Sequence, residues 1–200
     1  MTDPRNVTIR IIRPSSHEKI DIISTRIKEL EDNGFHVLYD EIPLDSSNLF
    51  TAGSISFRKE HLLRAVMESD SDVILCARGG YGASDLLPFL PWNDLKSVRQ
   101  KPIIGFSDIS ALHSAFFTKL SWKGIHGPMP STSYWLSDPI GKDILNLLNI
   151  INSSNPEGQL ALKNRSSEIK SNIIGWLFGG CLSVLTNLIG TPYFPASLKG

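Results

Sequence analysis

Two short and almost wholly apolar segments constrain the fold more than any other feature of the chain. Val73–Ala77 contains no polar side chain, and Lys101–Phe106 is apolar after its first residue. Strands that are apolar on both faces belong to parallel sheets whose two surfaces are covered by helices. The two segments therefore predict an α/β fold, with a parallel sheet and helices on both faces, of the flavodoxin-like kind.

The rest of the chain up to residue 152 alternates between strand-like and helix-like segments. Apolar residues recur near the 3.6-residue period in four segments that we predict as helices: His17–Leu30, Phe57–Glu68, Ile109–Leu120 and Asp138–Ile151. Three further segments have the composition of strands: Val7–Ile12, Phe35–Tyr39 and Trp122–His126. We assign residues 1–152 to an N-terminal α/β domain, residues 153–172 to a polar linker, and residues 173–200 to the incomplete start of a second α/β domain.

The composition argues against several classes of partner. Lys and Arg together number 20, Asp and Glu also number 20, and no segment is rich in Lys and Arg. We therefore predict neither a nucleic-acid partner nor a membrane-surface partner. The segment Ile173–Pro195 carries no charge, but glycines and polar residues interrupt it, which favours a packed interior over a membrane span. The chain as given shows no secretory signal, so we expect a cytoplasmic protein.

The cysteines and the glycines give no sign of a metal or a cofactor. Cys76 and Cys181 lack the spacing of metal ligands, and Cys76 lies in an apolar run, so we predict reduced thiols and no metal site. The loop Arg78–Gly82 lacks the Lys-Ser/Thr ending of a P-loop and the glycine spacing of a dinucleotide turn. The prediction is therefore a protein without a cofactor.

Two loops are predicted to meet at the carboxyl edge of the sheet, where ligands bind in parallel α/β folds. Arg78–Gly82 follows the strand Val73–Ala77, and the turn at Ser107 follows the next strand. Glycines let a backbone approach a ligand closely and present its N–H groups. The N–H groups of Gly80 and Asp108 fit an oxyanion hole, although a tight turn without any further role explains the glycine spacing equally well.

The stretch Gly105–Asp108 has the pattern of a strand, a tight turn and a helix. A serine in such a turn presents its hydroxyl at the sheet edge, as a catalytic nucleophile does. Serine is also a common helix N-cap, so the turn by itself is compatible with a structural role. His113 falls on the polar face of the following helix and needs no catalytic role, and a structural hydrogen bond explains His126 more simply than catalysis does.

Four motifs, taken in their order along the chain, resemble the LD-carboxypeptidase family of serine peptidases. They are Ala77–Ala83 with Leu86–Pro88, Gly105–His113, His126–Met129, and Gly179–Gly180 with Leu182–Ser183 and Gly190–Tyr193. The family includes enzymes of murein tripeptide recycling and of microcin C self-immunity. The resemblance implies hydrolysis of an amide bond next to a free carboxylate, through an acyl-enzyme on Ser107 and without a metal.

The resemblance also assigns roles to individual residues. It implies that Ser107 is the nucleophile and that the backbone N–H groups of Gly80 and Asp108 form the oxyanion hole. We place Gly79, Tyr81 and His126 in the substrate-binding region. The expected partner is a small peptide substrate, and the family suggests a homodimer by analogy.

The sequence departs from the family in two places. The Glu and His of the family's triad come from its C-terminal domain, and no carboxylate or histidine of this chain matches their motifs. A serine without its general base is a weak nucleophile. Cys181 stands where the family usually has Asn after the paired glycines, which changes the hydrogen bonds available to a substrate.

Two hypotheses follow. The one we favour is a serine carboxypeptidase for a murein peptide or a microcin-type substrate, with little or no activity in this 200-residue chain. The alternative is a non-catalytic protein of the same fold that binds a peptide or a peptidyl-nucleotide.

Overall fold

A computed structural model describes residues 7–18, 20–40, 50–132, 135 and 177–198 of the chain. The strands are β1 (Thr8–Ile12), β2 (His36–Tyr39), β3 (Val73–Cys76), β4 (Ile103–Gly105) and β5 (Gly124–His126). The helices are α1 (Ile20–Asp32), α2 (Ile55–Met67), α3 (Ala83–Leu86), α4 (Trp92–Leu95), α5 (Ser110–Leu120) and α6 (Leu182–Leu188), with 3-10 turns at Leu87–Phe89 and Ser107–Ile109. The predicted helix Asp138–Ile151 and the predicted linker 153–172 lie outside the described residues.

The five strands form one parallel sheet in the order β2-β1-β3-β4-β5. This is the flavodoxin-like order, in which the direction of winding reverses between β1 and β3. The predicted α/β fold with a parallel sheet is confirmed. Sheets of this order bind ligands beyond the carboxyl ends of the strands at the reversal, which here lies between the loops that follow β1 and β3.

Helices cover both faces of the sheet, because alternate residues of each strand point to opposite sides. One core cluster joins the strands to α2, α5 and α6 and includes Ile12, Ile74, Leu62, Leu112 and Leu188. A second cluster joins the other face to α1 and includes Ile11, Leu75, Ile23 and Leu30. The two clusters fix the strands firmly, and the loops at their carboxyl ends are therefore carried on a rigid support.

Local chemistry explains where the predicted helices begin and end. Gly34 adopts a φ of +91° just after α1, a conformation that glycine readily supplies at the end of a helix. The α2 helix begins two residues before the predicted position, because the hydroxyl of Ser54 caps it by accepting a hydrogen bond from the Phe57 N–H at 3.2 Å. The helices α3 and α4 were not predicted, since four residues are too few to show a helical period.

The described residues give no sign of a membrane segment or a metal centre. None of the helices in these ranges is long and apolar enough to cross a bilayer. Within the same ranges, no three His, Cys, Asp or Glu side chains come together as metal ligands would. Cys76 and Cys181 are both free thiols, and complete burial raises the pKa of the Cys76 thiol.

Candidate active site

Ser107 lies in a strained turn directly after β4, at the carboxyl edge of the sheet. Its φ is +61°, a conformation that non-glycine residues seldom adopt. Ser121 is the other non-glycine residue with a positive φ in the described part of the chain, and it sits at the end of α5, where this conformation is common. The end of a helix therefore explains the positive φ of Ser121. The positive φ of Ser107 has no such explanation, and strained residues of this kind cluster at functional sites.

The glycine loop after β3 packs directly against the turn at Ser107. A Cβ atom placed on Gly79 would lie 3.1 Å from the Cβ of Ser107 and 3.2 Å from the carbonyl oxygen of Phe106. Gly80 and Gly82 each have a φ of +111°, which favours glycine at both positions. The glycines thus allow this loop to approach the serine more closely than a loop with side chains could.

Two backbone N–H groups near Ser107 are available to a ligand. Within the described ranges, neither the Gly80 N–H nor the Asp108 N–H donates a hydrogen bond to another residue. Backbone N–H groups without an intramolecular acceptor, next to a serine at a helix start, can bind a developing negative charge. The structure therefore brings together the three groups that the sequence assigned to the chemical step, and their catalytic roles stay a prediction.

The carboxylate of Asp108 is buried and holds two other loops. Only 6% of the residue is exposed, and its Oδ2 accepts hydrogen bonds from the Ser15 hydroxyl at 2.6 Å and from the Ala83 N–H at 2.8 Å. Burial raises the pKa of this carboxyl, while the two hydrogen bonds oppose that rise. Asp108 therefore contributes its side chain as well as its N–H to the local structure.

Sequence reasoning missed three residues that support the glycine loop. No sequence pattern assigned a role to Ser15 or Ser16, and Arg58 fell within the predicted helix Phe57–Glu68. The hydroxyl of Ser16 accepts a hydrogen bond from the Tyr81 N–H at 3.1 Å, and Arg58 donates to the Gly82 carbonyl at 2.6 Å. Two serines immediately after a strand, at the edge where ligands bind, were the available signal.

Tyr81 and His126 border the same edge. The side chain of Tyr81 is exposed at the tip of the glycine loop. His126 is the last residue of β5, pairs in register with Gly105, and places its ring 6.0 Å from that of Phe106. No described histidine hydrogen-bonds to Ser107. The substrate-binding roles assigned to Tyr81 and His126 stay predictions.

His113 is a structural residue rather than a solvent-facing one, contrary to its placement on the polar helix face. Its Nε2 donates a hydrogen bond to the Ile103 carbonyl at 2.9 Å, and a Cβ on Gly124 would collide with its ring. Burial lowers the pKa of His113 to about 4. The ring is therefore neutral near pH 7 and ties α5 to β4.

The paired glycines before α6 also approach the start of α5. The hydroxyl of Ser110 accepts a hydrogen bond from the Cys181 N–H at 2.9 Å, and a Cβ on Gly180 would lie 2.6 Å from the same oxygen. This segment borders a cleft of about 650 Å³ that is lined by residues of α5 and β5, including His126. The cleft lies beside α5 and β5, and its lining residues include neither Ser107 nor the glycine loop.

Comparison with known proteins finds relatives in both sequence and fold. The chain is 34% identical over 128 residues to the murein tetrapeptide carboxypeptidase of Pseudomonas aeruginosa, an alignment covering 63% of this chain and 40% of that protein. An MccF-like protein from Bacillus anthracis superimposes with a TM-score of 0.76 at 26% identity, covering 94% of this chain and 64% of the other.

A second solved structure shows the same fold. The microcin C7 self-immunity protein MccF in complex with aspartyl sulfamoyl adenosine superimposes with a TM-score of 0.77 at 21% identity, again covering 94% of this chain and 64% of the other. This chain thus spans less than two thirds of each of these relatives. The sequence profile of the LD-carboxypeptidase N-terminal domain matches residues 9–127. The chain belongs to the LD-carboxypeptidase family.

Proposed function

We propose that this chain supplies the nucleophile and the oxyanion-binding groups of a serine carboxypeptidase. The strained backbone of Ser107 carries the proposal, because its φ of +61° costs on the order of 1–3 kcal/mol and no helix cap accounts for it. The reaction is hydrolysis of an amide bond next to a free carboxylate. The glycine loop that touches the Cβ of Ser107 supports the same assignment.

The chemical step follows from these positions. The hydroxyl of Ser107 attacks the amide carbonyl carbon while a base accepts the hydroxyl proton, and the carbonyl oxygen becomes an oxyanion that accepts hydrogen bonds from the Gly80 and Asp108 N–H groups. Collapse breaks the C–N bond, and the amine leaves with the proton. Water then hydrolyses the ester on Ser107 and restores the free serine.

The general base is proposed to lie outside the described residues. Within those ranges the Ser107 hydroxyl has no hydrogen-bond partner, and the resemblance places the acidic and histidine members of the triad in a C-terminal domain. Removal of one triad member typically lowers kcat by about 10⁴-fold or more. The 200-residue chain by itself is therefore proposed to be inactive or weakly active.

The substrate class is proposed from the names of the relatives. The Pseudomonas aeruginosa relative is a murein tetrapeptide carboxypeptidase, and MccF binds aspartyl sulfamoyl adenosine. We propose a murein peptide or a microcin-type conjugate as the substrate. The predicted cytoplasmic location and homodimer belong with this proposal.

The decisive experiment measures release of the C-terminal amino acid from a murein tetrapeptide by the product of the complete reading frame that contains this chain. Ser107→Ala should lower kcat by at least about 10³-fold. Ser121→Ala is the matched control, because it removes the other serine with a positive φ, and its activity should be unchanged. Equal activity of the two variants would refute Ser107 as the nucleophile.

One observation favours the alternative of a binding protein. The Ser107 hydroxyl has no hydrogen-bond partner among the described residues, which fits a site that holds a peptidyl-nucleotide and does not cleave it. Calorimetric titration of the same product with aspartyl sulfamoyl adenosine, followed by mass analysis of the ligand, separates the two functions. Binding with the ligand recovered intact would support the binding protein.

A further inference from the structure

The turn after β1 lies along the glycine loop and brackets Gly80. The Ser16 N–H donates a hydrogen bond to the Gly79 carbonyl at 3.2 Å, and the Tyr81 N–H donates to the Ser16 hydroxyl at 3.1 Å. Both neighbours of Gly80 are therefore attached to the same residue. A Cβ on Gly80 would collide with the Ser16 hydroxyl, so Gly80 itself also lies against Ser16.

The peptide unit between Gly82 and Ala83 is held on both of its polar sides. Arg58 Nη1 donates to the Gly82 carbonyl at 2.6 Å, and the Ala83 N–H donates to the Asp108 carboxylate at 2.8 Å. With its carbonyl and its N–H both fixed, this peptide cannot rotate without breaking a bond to a buried charge. The end of the glycine loop is thus as firmly placed as its centre.

The same two charged side chains also hold the turn after β1. Arg58 donates to the Pro14 carbonyl at 2.8 Å, and the Ser15 hydroxyl donates to Asp108 at 2.6 Å. Each charge therefore bridges the same two loops, which follow adjacent strands of the sheet. Ser15, Arg58 and Asp108 are 0%, 2% and 6% exposed, and hydrogen bonds to charges in such a water-poor environment are strong.

Asp108 connects this arrangement to the proposed oxyanion hole. Its own N–H is one of the two proposed oxyanion donors, and its side chain holds the loop that carries the other donor. A displacement of the glycine loop relative to the turn at Ser107 would therefore have to break the bonds made by the Asp108 carboxylate. A preorganised pair of donors is what stabilises an oxyanion most effectively.

We propose that Ser15, Ser16 and the carboxylate of Asp108 are positioning residues that set the separation between the Gly80 and Asp108 N–H groups. They act through the backbone and do not touch the substrate. As far as catalysis is concerned, the inference rests on the proposed function, but the geometry that it describes exists in the chain with or without hydrolytic activity.

The first test measures amide hydrogen exchange by NMR on the ¹⁵N-labelled 200-residue chain. Asp108→Ala removes the acceptor of the Ala83 N–H, so exchange at Ala83 and Tyr81 should accelerate by about tenfold or more relative to the strands. Asp108→Asn keeps an acceptor oxygen and should stay within about threefold of the wild type. Ser71→Ala is the matched control, because it changes a buried serine at the opposite edge of the sheet.

The second test measures kcat and KM for tetrapeptide hydrolysis by the product of the complete reading frame. Ser15→Ala should lower kcat by about tenfold and leave KM within about twofold, because a positioning role affects the transition state more than substrate binding. Asp108→Asn should retain more kcat than Asp108→Ala. A general loss of stability would not produce this split between kcat and KM.

Each outcome decides one of the two proposals. Accelerated exchange at Ala83 and Tyr81, combined with a product of the complete reading frame that does not hydrolyse the tetrapeptide, would support the positioning network and contradict the proposed function. Unchanged exchange at Ala83 in Asp108→Ala, or acceleration spread equally over β3 and α5, would overturn the positioning network. Full activity of Ser15→Ala would also overturn it.

Discussion

At the amino edge of the sheet, the buried ammonium group of Lys101 donates hydrogen bonds to the Ala65 carbonyl at 2.8 Å and to the Glu68 carbonyl. These carbonyls lie at the end of α2, so the charge completes a regular helix. At the carboxyl edge, Arg58 and Asp108 instead bind the backbone of irregular loops. The buried charges therefore have different roles at the two edges. At the amino edge the charge stabilises the end of a helix, and at the carboxyl edge the charges hold loops in irregular conformations.

The backbone itself shows the same contrast. The residues with a positive φ at the amino edge, Gly34 and Ser121, end the helices α1 and α5, whereas Ser107, Gly80 and Gly82 at the carboxyl edge lie in irregular turns. The backbone of Ser107 is strained, and the glycine loop lacks the regular hydrogen bonds of a helix or strand, so both turns need support from buried partners. The comparison therefore predicts that changes at the carboxyl edge mainly alter chemistry and that changes at the amino edge mainly alter stability.

The largest effect is expected from Gly80→Ala. The added methyl would collide with the Ser16 hydroxyl and displace one of the two proposed oxyanion donors. Loss of one such donor costs about 10²–10³-fold in kcat, so tetrapeptide hydrolysis should fall by at least about 100-fold.

Gly190→Ala is the matched control for this change. Gly190 has a φ of +82°, but no atom lies within 4 Å of a Cβ placed there. The Gly190→Ala variant should therefore be less stable, through backbone strain alone, and should keep the kcat of the wild type. Equal kcat values for the two variants would remove the distinction between the edges.

A loss of stability without a loss of chemistry is expected from Lys101→Met. The substitution leaves the carbonyls at the end of α2 without a donor, and the free energy of unfolding should fall by about 2–3 kcal/mol in urea titrations. The control is the exposed ion pair of Arg99 with Asp72, whose charged atoms lie 3.9 Å apart. Arg99→Ala should change the free energy of unfolding by less than about 0.5 kcal/mol. A fall in kcat at 25 °C with Lys101→Met would show that the two edges are coupled.

The smallest effect concerns His113, which ties α5 to β4 between the two edges. Its pKa is about 4 in the folded chain and 6.5 in the reference state, so the unfolded chain takes up a proton first as the pH falls through this window. Stability is therefore unaffected above pH 6.5 and is lost below it, by about 2 kcal/mol between pH 7 and pH 5.

His113→Gln can still donate to the Ile103 carbonyl and should lose less stability over this range. His36→Gln, at an exposed position on β2, should follow the wild type. Urea titrations at pH 7 and pH 5 measure the difference. Parallel pH dependence of the wild type and His113→Gln would contradict the assignment.

Elements with strong local signals were predicted well. The strand predicted at Val73–Ala77 is β3, and the helix predicted at Ile109–Leu120 is α5 after a short 3-10 turn. The positioning network was not predicted, because Ser15 and its acceptor Asp108 are 93 residues apart and nothing near Ser15 indicates that acceptor. His113 was misplaced for a different reason: its acceptor is only 10 residues away but belongs to β4, on which α5 packs, and the helical period does not show which strand a helix meets.

The sequence alone determined the alternation of strands and helices, the glycine loop and the turn at Ser107, because these depend on apolar periodicity and on glycine, which act over a few residues. Only the tertiary structure decided that β1 and β3 lie side by side and that their loops therefore meet. The contacts of Ser15, Ser16, Arg58 and Asp108 follow from that adjacency. They form between distant parts of the chain once the sheet has assembled, because buried polar groups must then find partners among whatever groups the fold has brought near them.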